Sequence, residues 1–132
     1  MIGMIHPIIS AVKKPSSAVS GTTVRVENKI FVHSGDRWMR YPNGVDRLAQ
    51  DAREWGWFTS PLPAPVRTDR SGNPYVRLNI WHDTVQFHLV WRAKSTGWSI
   101  NSIAVKVDGV WRTMHTLDEV RTMLCEGWDS CR

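Results

Sequence analysis

The sequence has little of what a metal site or a nucleotide pocket requires. Only two of its 132 residues are cysteine and five are histidine, and none form the close pairs that structural zinc needs. It has no glycine-rich phosphate loop and no serine nucleophile elbow, and Glu27, Asp69 and Asp83 form no cluster in sequence. We therefore expect no metal, no cofactor and no enzymatic activity. A hydrolase or nuclease, in which His88 with Asn79 or His33 with Asp36 would do general acid–base work, is the least favoured alternative.

Long apolar runs are also absent. No run approaches the roughly 20 residues that cross a bilayer, so we expect no membrane helix. The first nine residues are mildly apolar, but Lys13 and Lys14 follow them, which is the reverse of a secretory signal. We therefore expect a cytoplasmic protein. In a reducing compartment Cys125 and Cys131 are free thiols by default, although their spacing also permits a small disulfide loop.

Basic residues and tryptophans, by contrast, are abundant. Seventeen Lys and Arg against 12 Asp and Glu give a formal net charge of +5, and the pI is near 9.7. This balance favours polyanionic partners or acidic protein surfaces. Eight tryptophans are present, so some rings are expected at a surface beside arginines. Small size, a basic balance and no metabolic signature are typical of an accessory protein of a phage or mobile element.

A faint internal repeat indicates how the chain is built. Two aliphatic residues and a tryptophan recur at an offset of 73 residues: Ile30, Val32 and Trp38, then Ile103, Val105 and Trp111. A Gly/Asp turn lies within each set, and an amphipathic helical pattern follows each. One hairpin with one helix cannot bury its apolar face alone. Either a pseudo-twofold axis relates the two halves, or the similarity arises by chance.

Hydrophobic periodicity predicts the order βββα, loop, ββββα. The first half covers residues 24–58, and its helix carries an apolar stripe of Val45, Leu48, Ala49, Ala52 and Trp55. The second half covers residues 75–128, where Thr116 and Glu119 form a capping box for the last helix. We expect a single α+β domain over 24–132. Its twisted antiparallel sheet would have about seven strands, with two helices on one face.

Two segments are expected to lie outside this sheet. Residues 1–23 include a stretch rich in Ser, Pro, Gly and Lys, which is typical of a flexible N-terminal arm. Residues 59–74 contain four prolines, and their spacing favours an extended connector between the halves.

The clearest hairpin joins residues 75–82 to residues 85–92 through Asp83 and Thr84. Pairing His82 with Val85 places six apolar residues on one side: Val76, Leu78, Ile80, Phe87, Leu89 and Trp91. The other side then presents polar and aromatic residues: Tyr75, Arg77, Asn79, Trp81, Gln86, His88, Val90 and Arg92. The equivalent turns elsewhere add Lys106 and Trp111, and Phe31, His33, Trp38 and Arg40. This predicts an aromatic and cationic sheet face.

Such a face is suited to binding, with arginines of the connector at its rim. The candidate binding residues are Trp38, Arg40, Arg67, Arg70, Tyr75, Arg77, Trp81, His88, Arg92 and Trp111. Exposed Trp and Arg are preferred anchors of protein interfaces. The favoured interpretation is therefore a small non-enzymatic binding protein that acts on a protein partner, by forming a homodimer or by inhibiting a host protein. The alternative is binding of single-stranded DNA or RNA, because rings stack on bases and arginines contact phosphates.

Overall fold

A computed structural model describes residues 4–131, and within them the chain forms two sheets and two α-helices. The strands are β1 Met4–His6, β2 Ile8–Ala11, β3 Thr23–Val26, β4 Lys29–Ser34, β5 Arg37–Arg40, β6 Phe58–Thr59, β7 Val66–Thr68, β8 Pro74–His82, β9 Val85–Lys94, β10 Gly97–Val107 and β11 Val110–Thr113. The helices are α1 Asn43–Glu54 and α2 Leu117–Glu126, and a 3-10 helix spans Trp128–Cys131. The expected α+β class is confirmed.

The strands divide between a large sheet and a small one. The large sheet has seven strands in the order β1-β7-β8-β9-β10-β11, with β6 also paired to β8. The small sheet has the order β2-β3-β4-β5, in which β2 and β3 run parallel. The expectation that the first meander, β3 to β5, belongs to the large sheet is wrong. Open strand edges need partners, and here β2 pairs with that meander while β1, β6 and β7 complete the large sheet.

These extra strands come from the two segments expected to lie outside the sheet. Residues 1–3 of the predicted arm lie outside the described residues, but β1 pairs antiparallel with β7 and β2 pairs with β3. A side-chain hydrogen bond of 3.1 Å joins His6 Nε2 to Thr68 Oγ1. The connector at residues 59–74 likewise contains one of the two residues of β6 and all of β7. Neither segment is a plain arm or linker.

The chain packs as two compact units, and each unit is assembled from three segments of the sequence. Unit 1 comprises Met1–Asn43, Pro65–Val76 and Trp91–Ser99; unit 2 comprises Gly44–Ala64, Arg77–Val90 and Ile100–Arg132. Each unit therefore takes residues from both of the predicted halves. The two compact units therefore do not coincide with the two halves, 24–58 and 75–128, that the sequence predicts on either side of the connector.

The small sheet supplies much of the core of unit 1. Val24, Val32 and Met39 are buried, as the alternation of β3 to β5 predicts. The sequence favours a first turn at Asn28 and Lys29. The turn lies one residue earlier, since β3 ends at Val26, β4 begins at Lys29 and Glu27 adopts a φ of 58°. In β4 and β5, His33 pairs with Trp38 and Phe31 pairs with Arg40.

Unit 2 has a core built on the central hairpin. Leu78, Ile80, Phe87 and Leu89 are fully buried, whereas Arg77, which precedes Leu78 in β8, is exposed. This confirms the predicted alternation over the unit 2 part of β8 and β9. The strands are joined by Asp83 and Thr84, as expected.

The two helices contribute their apolar stripes to the same core. Val45, Leu48, Ala49 and Ala52 of α1 are buried, as are Val120 and Leu124 of α2. Trp55, predicted to end the first stripe, is instead 37% exposed, because α1 ends at Glu54 and the chain turns at Gly56 with a φ of 94°.

The tryptophan that ties this core together is Trp57. Its backbone N–H donates to the carbonyl of Ala52 at 3.0 Å, and its Nε1 donates to the carbonyl of Leu124 at 2.9 Å. The indole also meets the ring of Phe87 edge to face, with centroids 5.4 Å apart. Trp57 therefore links the end of α1, the end of α2 and the apolar side of β9.

The hairpin part of the repeat has the same register in both places. Lys106 pairs with Trp111 in β10 and β11, as His33 pairs with Trp38. A further backbone hydrogen bond of 2.9 Å closes each hairpin: Tyr41 N to Ile30 O, and Met114 N to Ile103 O. Both pairs differ by 73 residues. A pseudo-twofold axis between the halves stays a prediction.

Candidate binding face

The ten predicted binding residues separate into two groups. Arg77, Trp81, His88 and Trp111 belong to unit 2. The other six belong to unit 1: Trp38, Arg40, Arg67, Arg70, Tyr75 and Arg92.

The unit 2 residues lie on one side of the large sheet. Arg77 and Trp81 alternate with the buried residues of β8, and His88 alternates with those of β9. At the other end, the turn at Asp108 and Gly109 has two positive φ angles, 49° and 89°. Such a turn suits a two-residue hairpin, and it places Lys106 directly across from Trp111.

Two side chains at this end, His88 and Lys106, contact the indole of Trp111. The rings of His88 and Trp111 meet edge to face with centroids 4.7 Å apart. The Lys106 Nζ lies 5.6 Å from the centroid of the Trp111 ring, within the range of a cation–π interaction. Trp111 itself remains 46% exposed. The indole is thus held in place while much of its surface faces solvent.

A second aromatic pair lies on the same side of the sheet, where β6 pairs with β8. Phe58 of β6 pairs with Trp81 of β8, and their rings stack at 6.2 Å with an interplanar angle of 29°. They are 57% and 38% exposed respectively. Phe58 was not among the predicted residues. Its only signal in the sequence was an aromatic residue next to Trp57 where a strand had not been expected.

We call this surface the basic aromatic face and define it by Phe58, Arg77, Trp81, His88, Lys106 and Trp111. Its strands, β6 and β8 to β11, contain no Asp or Glu. Burial, and then the charges of Arg77 and Lys106, lower the pKa of His88 below its ordinary value. Arg77 and Lys106 are therefore close enough to His88 to disfavour its protonated form.

Arg92 and Tyr75, in unit 1, have a structural role instead. Tyr75 is only 9% exposed, so its prediction as an outward contact residue is wrong. The Arg92 guanidinium carbon lies 5.1 Å from the Tyr75 ring centroid and covers it, while Nη1 of Arg92 lies 3.2 Å from Asp69 Oδ2. Backbone hydrogen bonds from Asn73 and Ser71, together with Arg92, lower the pKa of Asp69.

Trp38 and Arg40 belong to the small sheet rather than to the large one. The Trp38 Nε1 donates to the carbonyl of Pro15 at 3.1 Å, and the Arg40 guanidinium carbon lies 5.7 Å from the ring of Phe31. Their prediction as part of the same sheet face as Arg77 is therefore wrong.

The two connector arginines lie at the start of the large sheet and its first turn. Arg67 is half-buried in β7 between Ile5 and Tyr75, and Arg70 is exposed in the turn that leads to β8. Their expected role at the rim of a binding surface stays a prediction.

Across residues 4–131, no three His, Cys, Asp or Glu side chains come together to hold a metal ion. No helix in the same range is long and apolar enough to cross a bilayer. Cys125 and Cys131 do not form a disulfide with each other. The arrangement on the basic aromatic face can stack planar groups and contact anions.

Comparison of the chain with models of protein families, with curated proteins and with solved structures found no match.

Proposed function

We propose that the protein is a non-enzymatic binding protein and that its basic aromatic face binds single-stranded nucleic acid. The observation that carries the proposal is the composition of this face. Partly exposed rings, Trp81 and Trp111, accompany the basic residues Arg77 and Lys106 on strands that have no carboxylate. An unbalanced positive surface favours an anionic ligand.

The rings favour a ligand that also has exposed planar groups. Base–aromatic stacking contributes about 1–3 kcal/mol per base and tolerates any sequence. Trp111 is positioned by His88 and Lys106, and Trp81 is positioned by Phe58. Since these rings are already ordered, stacking a base on them costs little further side-chain entropy.

Double-stranded DNA is a poorer fit. Reading its major groove requires a helix or ribbon that presents basic and amide side chains. The first turn of α2 carries Asp118 and Glu119, and the exposed side of α1 mixes Arg47 with acidic residues such as Glu54. Neither helix has the charge of a groove-reading helix.

A protein partner is the second candidate, favoured by the same two tryptophans. Partly exposed Trp and Arg are the side chains that dominate binding energy in protein interfaces. This candidate predicts an affinity that depends far less on salt, since phosphate contacts are absent. A cytoplasmic location and an origin in a phage or mobile element remain part of the proposal.

The experiment is an anisotropy titration of labelled single-stranded and duplex oligonucleotides at several salt concentrations. We expect the single strand to bind more tightly than the duplex. Arg77→Ala should weaken binding about tenfold and reduce the slope of log affinity against log salt by about one. The matched control is Arg47→Ala, which removes an exposed arginine of α1 in the same unit.

Equal losses in the two variants would place the contact elsewhere. No binding of any single strand would remove the nucleic-acid proposal and leave the protein partner as the favoured candidate.

A further inference from the structure

We infer that β11 is the contact edge for a second copy of this chain, through antiparallel pairing of β11 with β11. This strand is the last in the order of the large sheet, and all four of its residues are exposed. Val110 is 65% exposed, although valine ordinarily packs in the interior of a sheet. Unpaired edges of this kind are templates for further strand pairing.

The backbone groups needed for this pairing point away from β10. In antiparallel pairs, hydrogen-bonded and non-hydrogen-bonded positions alternate along the strand. Met114 N donates to Ile103 O, so residues 110 and 112 also face β10 with their N–H groups. The N–H and C=O groups of Trp111 and Thr113 therefore face the open edge, where another strand can take them.

A groove beside β11 supplies the place for side chains of the second copy. It lies between the end of β11 and α2, and its lining is largely apolar: Met114, Thr116, Asp118, Glu119, Thr122 and Met123. Methionine side chains adapt their shape to what they contact. The groove thus offers an apolar floor with two carboxylates at its rim.

Charge complementarity identifies the occupant as β11 of another copy. Val110 and Arg112 lie on the side of β11 that faces the apolar core, since Arg112 pairs with the buried Val105. Among residues 4–131 the Arg112 side chain forms no ion pair. A second β11 brings an apolar and a cationic side chain, two residues apart, to a groove with an apolar floor and carboxylates at Asp118 and Glu119.

A twofold axis makes this contact reciprocal. In an isologous dimer, each copy presents the same strand and receives the same strand, so two Arg112 side chains meet two sets of carboxylates. The register that places Arg112 opposite Arg112 is disfavoured by like-charge repulsion. Trp111 lies on the other side of the strand, beside Lys106. Pairing therefore leaves the basic aromatic face open, and the inference stands whether or not that face binds nucleic acid.

The experiment is sedimentation equilibrium of the full chain over a wide range of concentration, after nuclease treatment so that nucleic acid cannot bridge two copies. We expect a reversible dimer. Val110→Lys should raise its dissociation constant at least about tenfold, since it places a charge in the seam. The control is Val12→Lys, the same change at an exposed valine of unit 1, which should leave the dimer unchanged.

A charge exchange tests the groove itself. Arg112→Glu and Asp118→Lys should each weaken the dimer, and the double variant should restore it, with circular dichroism confirming that all variants fold. A monomer at every concentration would overturn the inference. So would a dimer that Val110→Lys and Val12→Lys affect equally.

Discussion

The imidazole of His88 meets the indole of Trp111 edge to face, with ring centroids 4.7 Å apart. His88 is in β9 and Trp111 is in β11, with Lys106 of β10 beside the same indole. Three consecutive strands of the large sheet therefore contribute one side chain each to a single cluster. The pKa of this histidine is lowered by burial and by its cationic neighbours.

Binding of a single strand should therefore depend on pH through His88. A phosphate beside the imidazole favours the imidazolium and raises its pKa, so binding takes up a proton. We expect affinity to increase as the pH falls through the ordinary range of histidine, whose usual pKa is 6.5. Anisotropy titrations across that range, in wild type and in His88→Gln, measure the effect.

The control for this prediction is His115→Gln, which changes an exposed histidine outside the strands of the face. It should retain the full pH dependence, whereas His88→Gln should lose most of it. Identical pH profiles in all three proteins would show that His88 does not take part in binding.

In the absence of a ligand, His88 should make the folded protein less stable as the pH falls, whereas its effect on affinity is an increase. Its folded-state pKa is lowered, so the unfolded chain binds the proton more readily. The contribution is fully present above the unfolded value and is lost as the pH falls through the window between the unfolded and folded values. Urea unfolding at a series of pH values should show a smaller acid loss in His88→Gln than in wild type. Part of the acid loss should remain in this variant, since His6, whose pKa is also lowered by burial, is still present. An acid loss as large as that of wild type would contradict the account.

Arg92→Ala should reduce stability without reducing affinity. Arg92 pairs with Asp69 at 3.2 Å, where both side chains are about one third exposed, and it covers Tyr75. A partly exposed ion pair and one cation–π contact together contribute about 1 kcal/mol. Thermal or urea unfolding measures that loss. A large fall in oligonucleotide affinity with unchanged stability would return Arg92 to the binding residues.

Thr116→Ala should destabilise unit 2 through the start of α2. The Thr116 Oγ1 accepts a hydrogen bond of 3.2 Å from the backbone N–H of Glu119, as the capping box predicted. Losing such a cap costs about 1 kcal/mol. Thr122→Ala is the matched control, because it removes a hydroxyl from the interior of the same helix. Equal unfolding free energies for both variants would argue against a working cap.

Local geometry was predictable wherever short-range physics determined it. The alternation around Leu78 and Phe87 has a period of two, so one register buries every apolar residue. Asp108 and Gly109 can adopt positive φ angles, which fixed the last hairpin and the position of Trp111. The cap at Thr116 depends on residues three apart. In each case the determining residues are near neighbours in sequence.

What could not be predicted depends on distant partners. Ile5 and Ile9 lie on short strands on either side of Pro7, and only their pairing with β7 and β3 makes them part of a sheet. Tyr75 has the alternation of an exposed residue, but it is covered by Arg92, which Asp69 holds in place. Phe58 becomes part of the basic aromatic face only because β6 pairs with Trp81.

The most direct test of the central claim is a titration of the protein with a single-stranded oligonucleotide, followed through the indole N–H resonances of its eight tryptophans. If the basic aromatic face is the binding surface, the resonances of Trp81 and Trp111 should shift progressively, while Trp55, which is exposed at the end of α1, should not. Shifts of Trp55 or Trp38 with unchanged Trp81 and Trp111 would contradict the account.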